Sequence, residues 1–64
     1  MNGYIAVTLA YLIHHYGGAY DINMRNGRFE ARRRDDGSLV RTDTAAEMLA
    51  ELRADYAARP VPRD

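Results

Sequence analysis

YDINMRNGRFEARRR, residues 20–34, decides the fold. Its first six residues alternate. Tyr20, Ile22 and Met24 point one way; Asp21, Asn23 and Arg25 point the other. Period-two alternation predicts a half-buried strand over residues 20–25. Asn26-Gly27 is a strong short hairpin signal, because a type I′ turn needs positive φ at both central residues. The return strand is predicted over 28–34, with Phe29 and Ala31 on its apolar side. Arg28, Glu30, Arg32 and Arg34 form its wet side, and Arg33 lies at the edge. Asp35-Asp36-Gly37 makes a second turn, and Ser38–Thr42 gives a short third strand.

The flanking segments switch to helical spacing. Over residues 4–16, YIAVTLAYLIHHY, the residues Ile5, Leu9, Leu12 and Tyr16 fall on one face, with Ile13 beside them. Asn2 is the expected N-cap, and Gly17-Gly18 is the expected stop through a left-handed glycine. Ile5, Val7 and Thr8 are β-branched and suit a strand instead. At the other end, Thr44-Ala45-Ala46-Glu47 is a capping box that opens a helix over 45–58. Met48, Leu49, Leu52 and Tyr56 share its apolar face, with Ala45 at its start. Glu47, Glu51 and Asp55 form an acidic ridge. Pro60 and Pro62 end the helix and leave an extended tail over 59–64.

The order α-β-β-β-α predicts one α+β domain over residues 1–64. Its sheet is a three-stranded antiparallel meander with two helices packed on one face. The predicted core joins Tyr20, Ile22, Met24, Phe29, Ala31 and Leu39 to Ile5, Leu9, Leu12, Leu49, Leu52 and Tyr56. The other sheet face is left open and polar.

Composition narrows the function classes. A chain of 64 residues buries only about 60% of the surface that it exposes when unfolded, so it gains much from association. It has no cysteine, which removes disulfides, thiol nucleophiles and thiolate metal sites. Nine basic and nine acidic residues balance to zero, against the profile of a strongly basic nucleic-acid binder. Every basic residue is Arg, in keeping with a GC-rich coding bias. No positively charged n-region precedes an apolar run, and polar and glycine residues break the first nineteen. The chain opens with Met and is read as complete. The expectation is a cytoplasmic protein without a membrane partner.

The absence of charge in the first helix is the most unusual feature. At 28% charged residues, the first nineteen should carry about five charges, and they carry none. The face opposite the expected core would show Tyr4, Val7, Thr8, Tyr11 and His15, read here as a protein interface. A homodimer fits best, since two-fold dimers are the commonest oligomers; another small protein would use the same surface. The runner-up is nucleic-acid contact through Arg25, Arg28, Arg32, Arg34 and Arg41 on the open sheet face. Interspersed carboxylates and the lack of outward aromatic rings count against it. Cross-strand pairs of Glu30 with Arg25 or Arg41 are the simpler expectation.

Chemistry finds little purchase. His14 and His15 are helix neighbours about 100° apart, a poor spacing for one metal ion. Asp35-Asp36 falls in a turn, and the hydroxyls of Thr8, Ser38, Thr42 and Thr44 read as helix, turn, strand and cap. The expectation is a non-enzymatic interaction or assembly module without cofactor.

Two resemblances bear on this reading. The topology and length resemble the double-stranded-RNA-binding domain, which grips phosphates with a Lys-rich start to its second helix. Here that stretch is Thr42-Asp43-Thr44-Ala45-Ala46-Glu47, which is acidic. The segments Tyr16–Ile22, Phe29–Arg33 and Thr44–Tyr56 look like a group of short, uncharacterised proteins from high-GC actinobacteria. Members often carry Tyr-Pro-Gly at the helix-to-strand junction, where this chain has Gly17-Gly18-Ala19. That resemblance implies a bacterial, cytoplasmic protein and an accessory role in a regulatory system. The uncharged first helix departs from it.

Overall fold

The hairpin turn takes the conformation that its sequence demands. Asn26 has φ 53° and Gly27 has φ 75°, positive at both centres as a type I′ turn requires. The turn joins strand β1 (Tyr20–Arg25) to β2 (Arg28–Arg33), and β3 (Leu39–Thr42) follows. This computed structural model describes residues 7–62. The strands form one antiparallel sheet in the order β1-β2-β3. Helices α1 (Leu9–Tyr16) and α2 (Ala45–Ala58) complete the predicted α-β-β-β-α order. Among the described residues no helix is long and apolar enough to cross a membrane.

The first helix starts later than its apolar spacing suggests. Thr8 is extended, with φ −125° and ψ 169°, and its hydroxyl accepts the Tyr11 N–H at 3.1 Å. A β-branched residue gains more as an N-cap than inside a helix. That places Val7 and Thr8 outside the helix. The expected cap Asn2 and residues 4–6 of the predicted helix lie outside the described residues. The stop also differs in kind. Gly17 has an ordinary right-handed φ of −63°. Glycine is needed there because a Cβ would collide with the Ile13 carbonyl oxygen. Arg34 then closes the helix end, donating from Nε and Nη2 to the Gly17 carbonyl at 3.0 and 2.9 Å.

The second helix follows its sequence closely. The Thr44 hydroxyl accepts the Glu47 N–H, and the Glu47 carboxylate accepts the Thr44 N–H, so both halves of the capping box are made. Such a cap stabilises a helix by about 1 kcal/mol. Ala45, Met48 and Leu52 are buried at i, i+3 and i+7.

These side chains meet Leu12, Ala19, Tyr20, Ile22, Ala31 and Val61 in one core. Leu12, Met48 and Leu52 are fully enclosed; each contributes about 2 kcal/mol by leaving water. Leu9, Phe29, Leu49 and Tyr56 are half-buried around them. The predicted core member Ile5 lies outside the described residues. Two other predicted core members are exposed. Met24 is 47% exposed: it faces the helix side but sits at the hairpin end of an edge strand. Leu39 is opposite Arg32, so it points to the open face, and Val40 and Thr42 turn inward instead. The register is set by a turn one residue out of phase with the simple reading. The tail is not free, because Val61 packs into the core.

Candidate functional site

Alternation along β2 puts Phe29, Ala31 and Arg33 on one side, and that side is the core. Arg33 was expected at the sheet edge. It is instead 2% exposed, opposite Tyr20 in the β1–β2 register. A buried guanidinium needs partners for all its donors. Nε and Nη2 grip Asp35 at 3.0 and 2.7 Å. Nη1 donates to Asp55 at 2.6 Å and to the Arg59 carbonyl at 2.8 Å. Asp55 also accepts the Tyr20 hydroxyl, and the guanidinium carbon lies 5.9 Å from the Tyr20 ring centre. One side chain thus joins the sheet, the 35–36 turn, the second helix and the tail. Asp55 is therefore not part of a solvated ridge: it follows Met48 and Leu52 on the inward stripe.

The neighbouring turn is tied down too. Asp36 accepts the Ser38 N–H at 2.8 Å, the Ser38 hydroxyl at 2.7 Å and Arg59 Nη1 at 2.9 Å. The Ser38 bonds, joined by Arg59, hold its carboxyl well below the ordinary range. The bond from Arg33 lowers the Asp35 carboxyl; the Tyr20 hydroxyl, followed by Arg33, lowers that of Asp55. Burial pushes the Tyr20 hydroxyl up to about 12, and Asp55 reinforces it.

These shifts fix the pH dependence. A carboxyl depressed in the fold contributes stability above its unfolded pKa, about 4, and loses it as pH falls through the folded value. A raised tyrosine contributes fully below about 10 and loses it as pH climbs to about 12. Thermal midpoints are therefore expected to be flat from about pH 5 to 9, with a fall on each side. A midpoint that holds from pH 5 down to pH 2 would contradict the carboxylate part.

The open sheet face carries Asp21, Asn23, Arg25, Arg28, Glu30, Arg32, Leu39 and Arg41. Glu30 sits among the arginines, 2.8 Å from Arg41 and 3.8 Å from Arg25. Both expected pairs therefore form, and Arg41 above all lowers the Glu30 carboxyl. Arg28 lies 3.2 Å from Asp43, and Arg32 donates to the Gly37 carbonyl at 2.9 Å. Arg34 lies past the end of β2, on the end of α1.

The residues expected at the helical interface separate. Tyr4 lies outside the described residues. Val7 packs against the core and Thr8 is the cap. Tyr11 and His15 stay together, with ring centres 4.3 Å apart. They line a shallow groove with Leu49 and Arg53 of α2. Ile13 is 46% exposed. Helical geometry sets it about 160° from His15, on the flank away from α2. α1 packs on β1, while α2 packs on β2 and β3. That flank therefore lies on the β1 side of the helical layer, away from α2.

β1 is an edge strand of the sheet. A two-residue turn makes Arg25 and Arg28 the hydrogen-bonded closing pair, so the outward main-chain groups belong to Tyr20, Ile22 and Met24. The Arg34 N–H to Ala19 carbonyl bond, at 3.0 Å, is in the same phase. Among the described residues no third strand pairs with this edge. Residues 14, 15 and the turn carboxylates form no metal-holding group among the described residues.

No family model matches the chain, and no curated protein or solved structure matches it either.

Proposed function

We propose that this chain is a non-enzymatic assembly module that works as a homodimer. Its seam is the side of α1 and β1 that faces away from α2. One observation carries the reading: a helix without charge packs on β1, whose outer edge is unpaired among the described residues, and Ile13 and Met24 are exposed on these two elements. A small domain that leaves such groups uncovered gains stability when a second copy covers them.

The polar groups support a structural role. Thr8 and Thr44 are caps, and Ser38 and the Thr42 hydroxyl are bound within turns. Asp35, Asp36 and Asp55 hold Arg33 and Arg59. These are the groups that acid–base or nucleophilic chemistry would draw on. Nucleic-acid contact through the open face draws less support. Glu30 neutralises its centre, Arg34 serves the helix end, and among the described residues no aromatic side chain of the strands lies on that face.

The thermal midpoint tests this reading. A dimer that unfolds to monomers gains about 1.4 kcal/mol for each tenfold rise in concentration. Spread over the unfolding entropy of two 64-residue chains, that is a rise of about 5 °C. A midpoint independent of concentration would count against the dimer.

A further inference from the structure

We propose that β1 pairs antiparallel with β1 of a second copy, centred on Asn23, so that two three-stranded sheets become one. The proposal rests on the homodimer reading and specifies its geometry. The outward main-chain groups of Tyr20, Ile22 and Met24 supply the donors and acceptors. A closed dimer has two-fold symmetry, and pairing an edge strand with itself by a two-fold axis makes the copies antiparallel. Residues opposite each other in a sheet share a face. The axis must therefore pass through a residue, not between two.

The charges choose which residue. Centring on Asp21 or Arg25 sets like charges against each other, which destabilises a cross-strand pair. Centring on Ile22 or Met24 leaves Asp21 and Arg25 opposite uncharged residues. Centring on Asn23 sets Asp21 of each copy opposite Arg25 of the other, twice. It also sets Ile22 opposite Met24 of the second copy on the helix side, which covers the 47% exposed methionine. Ile22 and Met24 are then hydrogen-bonded partners, and about four main-chain bonds close the seam. Asn23 faces its own copy on the open side. The axis stands perpendicular to the sheet, so both helical layers stay on one side. The two copies of α1 come to lie beside each other, with their Ile13 flanks inward.

Charge reversal tests the register. Asp21→Arg and Arg25→Asp each create two like-charge contacts, and each is expected to raise the dissociation constant at least tenfold. The two variants mixed should associate again, because one chain then offers Arg at both positions and the other Asp at both. The double variant D21R/R25D should form its own homodimer. Absolute mass by light scattering reads all four. Dissociation of each single variant with recovery in the mixture supports the proposal. A wild-type dimer whose single variants stay dimeric overturns the β1 register and leaves the homodimer reading standing. A monomeric wild type removes both. Arg25→Asp also disturbs Glu30, 3.8 Å from Arg25, so a variant that fails to fold is replaced by a second reading. In wild-type protein mixed from labelled and unlabelled chains, an intermolecular NOE between Ile22 and Met24 methyls is expected. Its absence in a proven dimer overturns the proposal.

Discussion

Arg33→Ala is expected to leave the chain without a cooperative thermal transition, or with a midpoint lowered by on the order of 10 °C or more. The cause is not the loss of one ion pair. Arg33 is the only residue that touches the 35–36 turn, α2 and the tail at once among the hydrogen bonds of the described side chains. Its removal strands the Asp55 carboxylate beside the Tyr20 hydroxyl, and it frees the Arg59 carbonyl. A partly buried carboxylate left without its counter-charge, and the loss of a fully buried side chain that fills the junction, destabilise more than the loss of an exposed pair does. Arg33→Lys should rescue little, because one ammonium cannot make the forked contact to Asp35 and also reach Asp55. Circular dichroism melts of both variants against wild type measure this. A midpoint for Arg33→Ala within a few degrees of wild type would show that the cluster is dispensable.

Leu52→Ala should cost about 3 kcal/mol. Leu52 is fully enclosed at the centre of the inward face of α2. Its truncation loses transfer energy and leaves a cavity that a small, close-packed core cannot refill. A domain of this length has a total stability of roughly 3–10 kcal/mol, so the change removes a large share. Chemical denaturation with an unchanged m value isolates the effect. A loss under 1 kcal/mol would mean that the core relaxes around the gap. Leu39→Ala, on the open face, should by contrast change little, and that comparison checks the strand register as well.

Much of the fold is legible in the residues because local signals agree with one another. The Asn26-Gly27 turn, the β1 alternation and the Thr44–Glu47 capping box each depend on neighbours in sequence, and each forms. What the sequence hides depends on distant partners. The pattern Phe29, Ala31, Arg33 already points the arginine inward, yet an arginine is read as solvated until Asp35 and Asp55 are seen around it. Asp55 likewise extends the Met48–Leu52 stripe by three residues, and its charge disguises that. Leu39 points to the open face because the 34–38 turn sets the β3 phase, and no local residue reports that phase. The first helix is shorter because Thr8 caps it, the one place where β-branched residues argued against the helical spacing. The candidate interface shifted for the same reason. Spacing on a longer helix groups Val7, Tyr11 and His15, whereas packing turns Val7 to the core and Tyr11 to α2. Ile13 on α1 and Met24 on β1 remain exposed on the side away from α2, which only the three-dimensional arrangement reveals.

The central claim is self-association through that edge, and absolute mass by light scattering behind a sizing column tests it most directly. Across a range of concentrations the mass should approach twice the 7.3 kDa of one chain. A mass that stays at 7.3 kDa at the highest concentration would contradict the homodimer.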